Sequence, residues 1–537
     1  QESRGLGDVY KRQPYGNVAV VSQQGQYTFY TDGVPVLTAP LPDVTLNEEI
    51  VHLPLLFVPE PRRALVLSGG VGGVLHELSK YPQMEIDYAE LDPLLIEAVR
   101  RFPTPLTAGE LNDPRVRVEP VDGRLLVKKK TWELPSRSSA GYDSVIIHLP
   151  YPTTLELNRF YTAEFFTMIR GLLSEEGVLV IGCPGSLAYM SDKLRHLNAL
   201  LFHTLRAAFP YVRPIPGDVT LWLASPAEHI IAKPASALIE VWQGRNIETR
   251  LLTSRHLRLR MDQRYLDWFW ESLGPPASLA KVGVNRDFHP RGLFYGLSYW
   301  NALFSPPMGR VLALAGRLNL WLLGLAVMAC TLLLLALARF SAAGRGAVVP
   351  TVILTTGFTG MAADLVLIFT FQTLYGYIYQ WIGLFIMAFM GGLSLGAAIM
   401  GGRLSRGESG VPALRKLELL LVLYWALLPI VLSALHGFSA RPTAAPAIGG
   451  TLLLLNAAAG SLVGAQFPLA NSIWLKGRPI NRAAGVLYAC DLAGAFVGSI
   501  VIAVFLVPIL GIVACCLLTA MLKGGSFLLV MTLSARP

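Results

Sequence analysis

The sequence is short of charge and short of cysteine. Only 15% of its 537 residues are Asp, Glu, Lys or Arg, against 53% hydrophobic, well off the balance of a soluble chain. The five cysteines are Cys183, Cys330, Cys490, Cys515 and Cys516. Only Cys183 precedes residue 310, so the first part of the chain has no internal disulfide and no cysteine-based metal site, and no metal is expected. Cys183, between Gly182 and Pro184, reads as a core thiol. No apolar run long enough to cross a bilayer occurs before about residue 310. The net charge of +9 comes without a basic face interleaved with aromatics, which argues against a nucleic-acid partner. An initiator Met is missing as well. Asp8-Val9-Tyr10-Lys11-Arg12-Gln13 spells one frame of a common transposon sequencing adapter, so residues 1–13 are expected to be a library artefact, with the natural N-terminal segment missing.

What is there divides by pattern. Residues 14–62 open on apolar–polar alternation, as in Val18-Ala19-Val20-Val21 and Tyr27-Thr28-Phe29-Tyr30, with a turn at Asp32-Gly33; this predicts a β-hairpin or small sheet. Over 63–232, short apolar strands alternate with helices. The strands are Ala64–Leu67, Glu85–Glu90, Arg115–Val121, Ser144–His148 and Gly177–Ile181, a pattern that predicts a parallel sheet with helices on both faces. Residues 233–310 are less regular and rich in Arg, Trp and Tyr, a connector or appendage. From 311 to 537, seven spans are expected, near 316–338, 349–371, 379–400, 418–436, 448–470, 484–508 and 511–533, the last two parted only by Pro508 and Gly511. The pattern therefore predicts an α/β domain with a small N-terminal β-sheet, followed by an all-α polytopic membrane domain.

Loop charges bear on orientation. Arg339 and Arg345; Arg403, Arg406, Arg415 and Lys416; and Lys476, Arg478 and Arg482 follow the first, third and fifth spans, while the other loops carry only Arg441. The positive-inside rule puts the first group in the cytoplasm and the α/β domain outside; a substrate drawn from the cytosol would favour the opposite side. A bacterial inner membrane, with the lipid bilayer as partner, is the expected location. Asp364 and Asp491 fall inside spans, where an acid marks a cation or proton path or an inter-helix hydrogen bond. His436 and Lys523, near span ends, are expected to reach the interface.

The chemistry-bearing signal is Ser68-Gly69-Gly70-Val71-Gly72-Gly73, after a strand and opening a helix, with Glu90-Leu91-Asp92 following the next strand. Glycines allow a tight turn and close backbone approach to a ligand; an acid at the next strand end can hold ribose hydroxyls. Val121-Asp122-Gly123 ends the third strand, where a carboxylate can reach an adenine amino group. The three points suit a nucleoside such as an S-adenosylmethionine-type ligand better than a dinucleotide; the alternative is glycines serving the turn alone.

Residues 14 to about 230 resemble the spermidine synthase (polyamine aminopropyltransferase) family. The resemblance is carried by Tyr15-Gly16-Asn17, Asp32-Gly33, His52-Leu53-Pro54-Leu55, the Gly69–Gly73 turn with His76-Glu77, Glu90-Leu91-Asp92, Asp113-Pro114-Arg115-Val116, Asp122-Gly123 and Phe160-Tyr161 leading into Glu164-Phe165-Phe166. The rest is similar to the transporter-like half of fused membrane and synthase proteins, through 357–363, 388–396 and 485–511. The family implies a Rossmann-like α/β fold of the S-adenosylmethionine-dependent transferase type, in which Gly69, Gly70, Gly72, Gly73, Glu90, Asp92, Asp122 and Gly123 hold decarboxylated S-adenosylmethionine, as a co-substrate rather than a tightly bound cofactor. It also implies a base for the attacking amine. Here the chain departs from the family pattern: His148 and Tyr151 stand where the family has two Asp, Leu46-Asn47-Glu48 replaces Tyr-His-Glu, and Val36 replaces a Gln. His148 is a substitute base or a local hydrogen-bonding group; Tyr151 is the second candidate. Glu48, with Glu49, supplies acceptor-binding charge or is a solvated helix start.

The expected function is membrane-bound aminopropyl-type transfer from that nucleoside to an amine. The alternatives are a transporter or sensor with an inactive synthase-like domain, and an S-adenosylmethionine methyltransferase. Homo-oligomerisation stays open.

Overall fold

A computed structural model describes all residues except 1–10, 14–15, 32, 91, 134–140, 276–279, 377–378, 408–409, 476–479 and 534–537. Tyr15, Asp32 and Leu91 of the motifs, and Lys476 and Arg478 of the loop-charge count, lie outside the described residues. The chain forms two units, Gln1–Asp287 with Gly292–Ser305, and Phe288–Arg291 with Pro306–Pro537.

In the first unit the alternating N-terminal segment forms an antiparallel sheet of β1 (Lys11–Gln13), β2 (Gly16–Gln23), β3 (Gln26–Thr31) and β4 (Val34–Ala39). The second sheet contains β5 (Arg63–Leu67), β6 (Glu85–Ala89), β7 (Val116–Glu119), β8 (Tyr142–Ile147), β9 (Leu173–Pro184), β10 (Tyr211–Ile215) and β11 (Val219–Ser225). Its order is β10-β11-β9-β8-β5-β6-β7. The pairs from β9 across to β7 are parallel, and β11 and β10 close one edge antiparallel. β5 is central, flanked by β6 and β8, so the order reverses there; ligands bind at the carboxyl ends of strands beside such a reversal.

Strand alternation splits the core in two. Ala64 and Val66 join Ile86, Tyr88, Ile146 and Val180 on one face, while Leu65 and Leu67 join Val145, Ile147, Leu179 and Ile181 on the other. The stretch 233–310, expected to be irregular, is largely helical: Ala235–Arg245, Ser254–Arg260, Gln263–Leu273 and Arg291–Phe304. Leu238, Trp242 and Leu257 seal the first face, and Phe269, Leu273 and Val282 the second. Sparse apolar anchors among Arg and polar residues hid these helices; each buries only a narrow stripe.

In the second unit, among the described residues, six helices are long and apolar enough to cross a membrane: Leu320–Phe340, Ala342–Tyr375, Gln380–Ser405, Gly410–Phe438, Ala445–Trp474 and Ala484–Met531. The seventh expected span is the second half of the last one. Its hydrogen bonding runs on through a π turn at Val501–Leu506, but Gly511 leaves helical backbone with φ 83° and ψ 171°. A Cβ at Gly511 would lie 2.4 Å from the Phe288 carbonyl oxygen, so only glycine fits this break. The glycine-rich stretches serve close packing: Gly392 lies against the Ala457 carbonyl and Gly494 against that of Leu354. Lys523 does not reach an interface. It is fully buried, with Nζ 2.7 Å from Glu418 Oε1, because its helix points it into the bundle.

Candidate functional site

The parallel registers align the strand ends. Leu67 pairs with Ala89 on one side and Ile147 on the other, and Ala89 pairs with Glu119. The next residues, Ser68, Glu90 and His148, therefore emerge on one rim. Backbone hydrogen bonds continue the ladder there: Ser68 N–H donates to Ala89, Glu90 N–H to Glu119, and His148 N–H to Leu67.

The glycine turn leaves β5 with positive φ at Ser68 (59°) and Gly69 (60°). A Cβ on Gly69 would meet His148 Nδ1 at 2.7 Å, and one on Gly73 (φ 129°) would meet the Asn47 side chain at 2.0 Å. These glycines are required by close approach on both sides, not by the turn alone. Asn47 Nδ2 donates to the Gly72 carbonyl at 3.0 Å. The residue that replaces the family's histidine thus clamps the turn.

His148 sits on the other side, half-buried, with Nδ1 2.9 Å from the Gly69 carbonyl oxygen. A carbonyl only accepts, so Nδ1 carries the proton and Nε2 carries the lone pair of the neutral ring. Burial holds the imidazole pKa below its ordinary value of 6.5, so the ring is neutral at pH 7. Tyr151 is half-buried with its ring edge-on to Tyr299 at 5.6 Å, and burial pushes its hydroxyl up to about 12. It stays protonated and cannot serve as a base near neutrality.

The acids are placed differently from one another. Glu90 is buried, and its Oε2 accepts from Tyr88 OH at 2.6 Å. Asp92 caps the helix Pro93–Arg101, accepting from Leu94 N–H. Asp122 accepts from Leu125 N–H and from both Nη atoms of the fully buried Arg159, at 2.8 and 3.1 Å. Gly123 lies against Leu67 and Phe160. Arg159 has no motif to announce it; only the structure shows that it orients the Asp122 carboxylate.

Glu48 is not a solvated helix start. It is 1% exposed, and its two oxygens accept the N–H groups of Arg250, Leu251 and Leu252 at 2.6–3.0 Å. Glu49 is likewise buried against Arg260 and His256. Both carboxylates are committed to holding the appendage. In the helical unit, Asp364 accepts from Asn456 Nδ2 at 2.7 Å, and half-buried Asp491 lies against Gly357.

One site residue was invisible to sequence reading. Glu110, in the helix Pro105–Asn112, accepts from the N–H groups of Gly72, Gly73 and His76 at 2.8, 2.6 and 3.1 Å. It stands 37 residues from Gly73, so no local pattern links them. These donors are the ones a pyrophosphate would need at such a turn. The Glu110 oxygens already occupy these donors, so the turn as it stands offers them to no phosphate. Cys183 is buried and its thiol pKa is pushed up by burial, as expected of a core thiol.

The spermine/spermidine synthase domain matches residues 44–225. A polyamine aminopropyltransferase of Korarchaeum cryptofilum is 34% identical over 162 residues, covering 30% of this chain and 45% of that one. One from Lachnospira eligens is 31% identical over 231 residues, covering 41% of this chain and 75% of that one. The chain thus spans less than half the length of the first of these relatives. A spermidine synthase structure from Thermotoga maritima, 21% identical, covers 51% of this chain and 86% of its own with a TM-score of 0.38.

Proposed function

We propose, from the premise that the chain belongs to the spermine/spermidine synthase family, that it transfers an aminopropyl-type group from decarboxylated S-adenosylmethionine to an amine, with its helical unit crossing a membrane. The observation that carries the reading is His148 held on the glycine turn by its Nδ1 contact with the Gly69 carbonyl.

Transfer requires a neutral amine. Its lone pair attacks the methylene carbon beside the sulfonium, the carbon–sulfur bond breaks towards sulfur, and methylthioadenosine leaves uncharged. The amine must shed one proton. His148 Nε2, kept unprotonated by burial of the ring, accepts it in the role that a carboxylate plays in the family pattern. Gly69, Gly70, Gly72 and Gly73 build the turn beside which the nucleoside would lie, Glu90 would hold the ribose hydroxyls, and Asp122, aligned by Arg159, the adenine amino group. Asp92 and Gly123 shape the loops that present them. Glu110 takes up the N–H groups of the turn, which suits the turn to a ligand without a phosphate. The apolar helices support a multi-pass membrane protein.

Calorimetric titration of the full chain in detergent with methylthioadenosine tests the nucleoside site. Micromolar binding, lost in Glu90→Ala, is expected. No binding to folded protein would sink the proposal.

A further inference from the structure

Four helices of the second unit, Ala342–Tyr375, Gly410–Phe438, Ala445–Trp474 and Val507–Met531, bring together Thr356, Glu418, Gln466 and Lys523. Glu418, Gln466 and Lys523 have no solvent exposure, and Thr356 has almost none. Lys523 Nζ donates to Glu418 Oε1 at 2.7 Å and to Thr356 Oγ1 at 3.1 Å. Gln466 Nε2 donates to the same Glu418 oxygen at 2.7 Å, and Gln466 Oε1 meets the Thr356 hydroxyl. Thr355 and Ser526 hydrogen-bond beside them at 3.2 Å. The ammonium is thus held by acceptors from two other helices, with a third helix orienting them.

Two features distinguish this arrangement from a packing device. Glu418 Oε2 is buried with no hydrogen-bond partner among the described residues, and so is Asn456 Oδ1, which lies beside Asp364. Asp364 is eight residues beyond Thr356 on the same helix, or about 12 Å along its axis. The bundle therefore holds unsatisfied acceptors at two levels, which is the chemistry of a cation site. A buried ion pair is also costly to desolvate, and apolar side chains of similar volume are often at least as stabilising. Ionisable groups between membrane helices mark ligand or ion paths.

We infer that Glu418, Thr356 and Gln466 form a binding site for a primary alkylammonium ion, which Lys523 occupies as a tethered ligand. The lysine ammonium and an alkylammonium present the same three N–H donors and the same charge. Glu418 Oε2 takes the first N–H of the incoming ion while Oε1 still holds Lys523. One ammonium then replaces the other: Lys523 gives its proton up to water as it leaves Oε1 and stays in the bundle as the neutral amine, so the net charge of the site is unchanged, no bond to carbon changes, and the carboxylate is never left unpaired in the apolar interior. The inference rests on the helical unit alone and does not depend on turnover in the α/β unit.

Radiolabelled methylammonium binding to the full chain in lipid nanodiscs tests it, with tetramethylammonium, which lacks N–H donors, as competitor. Saturable retention by the unmutated chain is expected, lost in the neutral double variant Glu418→Gln/Lys523→Met. Lys523→Met alone removes the tethered competitor and should bind about tenfold tighter or more. Equal retention by the unmutated chain and the double variant, no retention by the unmutated chain, full competition by tetramethylammonium, or folded Lys523→Met that binds no tighter would each overturn the proposal. Should Lys523→Met fail to fold, the unmutated chain against the double variant still decides.

Discussion

At the scale of single residues, chemistry turns on two titratable groups, half-buried His148 and buried Glu110, that the sequence presented very unequally. His148 was legible as a departure from a family pattern, but its role was not, because a strand-end histidine gives no hint of which nitrogen it commits. The Gly69 carbonyl settles that by engaging Nδ1. His148→Ala should lower turnover about 100-fold or more while leaving methylthioadenosine affinity within about threefold. Because burial holds the ring below 6.5, kcat at saturating amine should be flat above that pH and fall as acid protonates Nε2. A profile still rising through pH 8 would assign the base elsewhere. Glu110 left no trace in the sequence, since its partners lie in a distant loop. Burial pushes its carboxyl from an ordinary 4.5 up to about 7. Between those values the folded chain keeps a proton that the unfolded chain has lost, so this group's contribution to stability falls as pH rises through the window and levels off above about 7. The shift corresponds to about 3 kcal/mol. Glu110→Gln has no such proton, so denaturation midpoints of parent and variant should diverge between pH 4.5 and 7 in the variant's favour; parallel curves would contradict the assignment.

At the scale of elements, strands and helices with a strong apolar period could be read directly. The helix Pro93–Arg101 starts at its Asp92 cap and proline. Expected strands differ from β5 to β9 mainly at their ends, where pairing rather than propensity decides the last residue. The glycine turn and its acids were legible because spacing carries them. Elements fixed by distant partners were not. The helix Val44–Leu55 contains Glu48 and Glu49, a pair that looks solvated in sequence, yet their carboxylates anchor residues more than two hundred positions away. Glu48→Ala would strand the buried N–H groups of the Arg250–Leu252 loop. A loss of about 3 kcal/mol or more is expected in chemical denaturation, with Glu48→Gln intermediate because one amide oxygen remains. A variant as stable as the parent would mean that the loop finds other acceptors.

At the scale of the whole molecule, the boundary that sequence hydropathy draws near residue 310 is not where the chain first changes unit. Phe288–Arg291 belong with the helical unit, and Gly292–Ser305 return to the α/β unit. The return segment is part of the α/β core. Gly292 N–H donates to Asn285 Oδ1 at 3.0 Å, Gly296 sits against the Pro152 carbonyl, and Tyr299 packs on Tyr151. A reader of hydropathy alone would be free to cut anywhere in the connector; the structure says that a cut before 292 uncovers the face that carries Tyr151, immediately after the His148 strand end. Two fragments separate these views. One running from Gly16 to Ser305 should melt cooperatively and bind methylthioadenosine as the full chain does. One ending at Asp287 should melt lower by about 5 °C or more, since each kcal/mol lost is worth roughly 2–4 °C at this size, and should bind more weakly because the loop after β8 loses its support. Equal melting temperatures would mean that Gly292–Ser305 packs on the α/β unit without stabilising it. A lowered melting temperature with unchanged binding would separate the stability of that face from the nucleoside site, and leave His148 supported by the glycine turn alone.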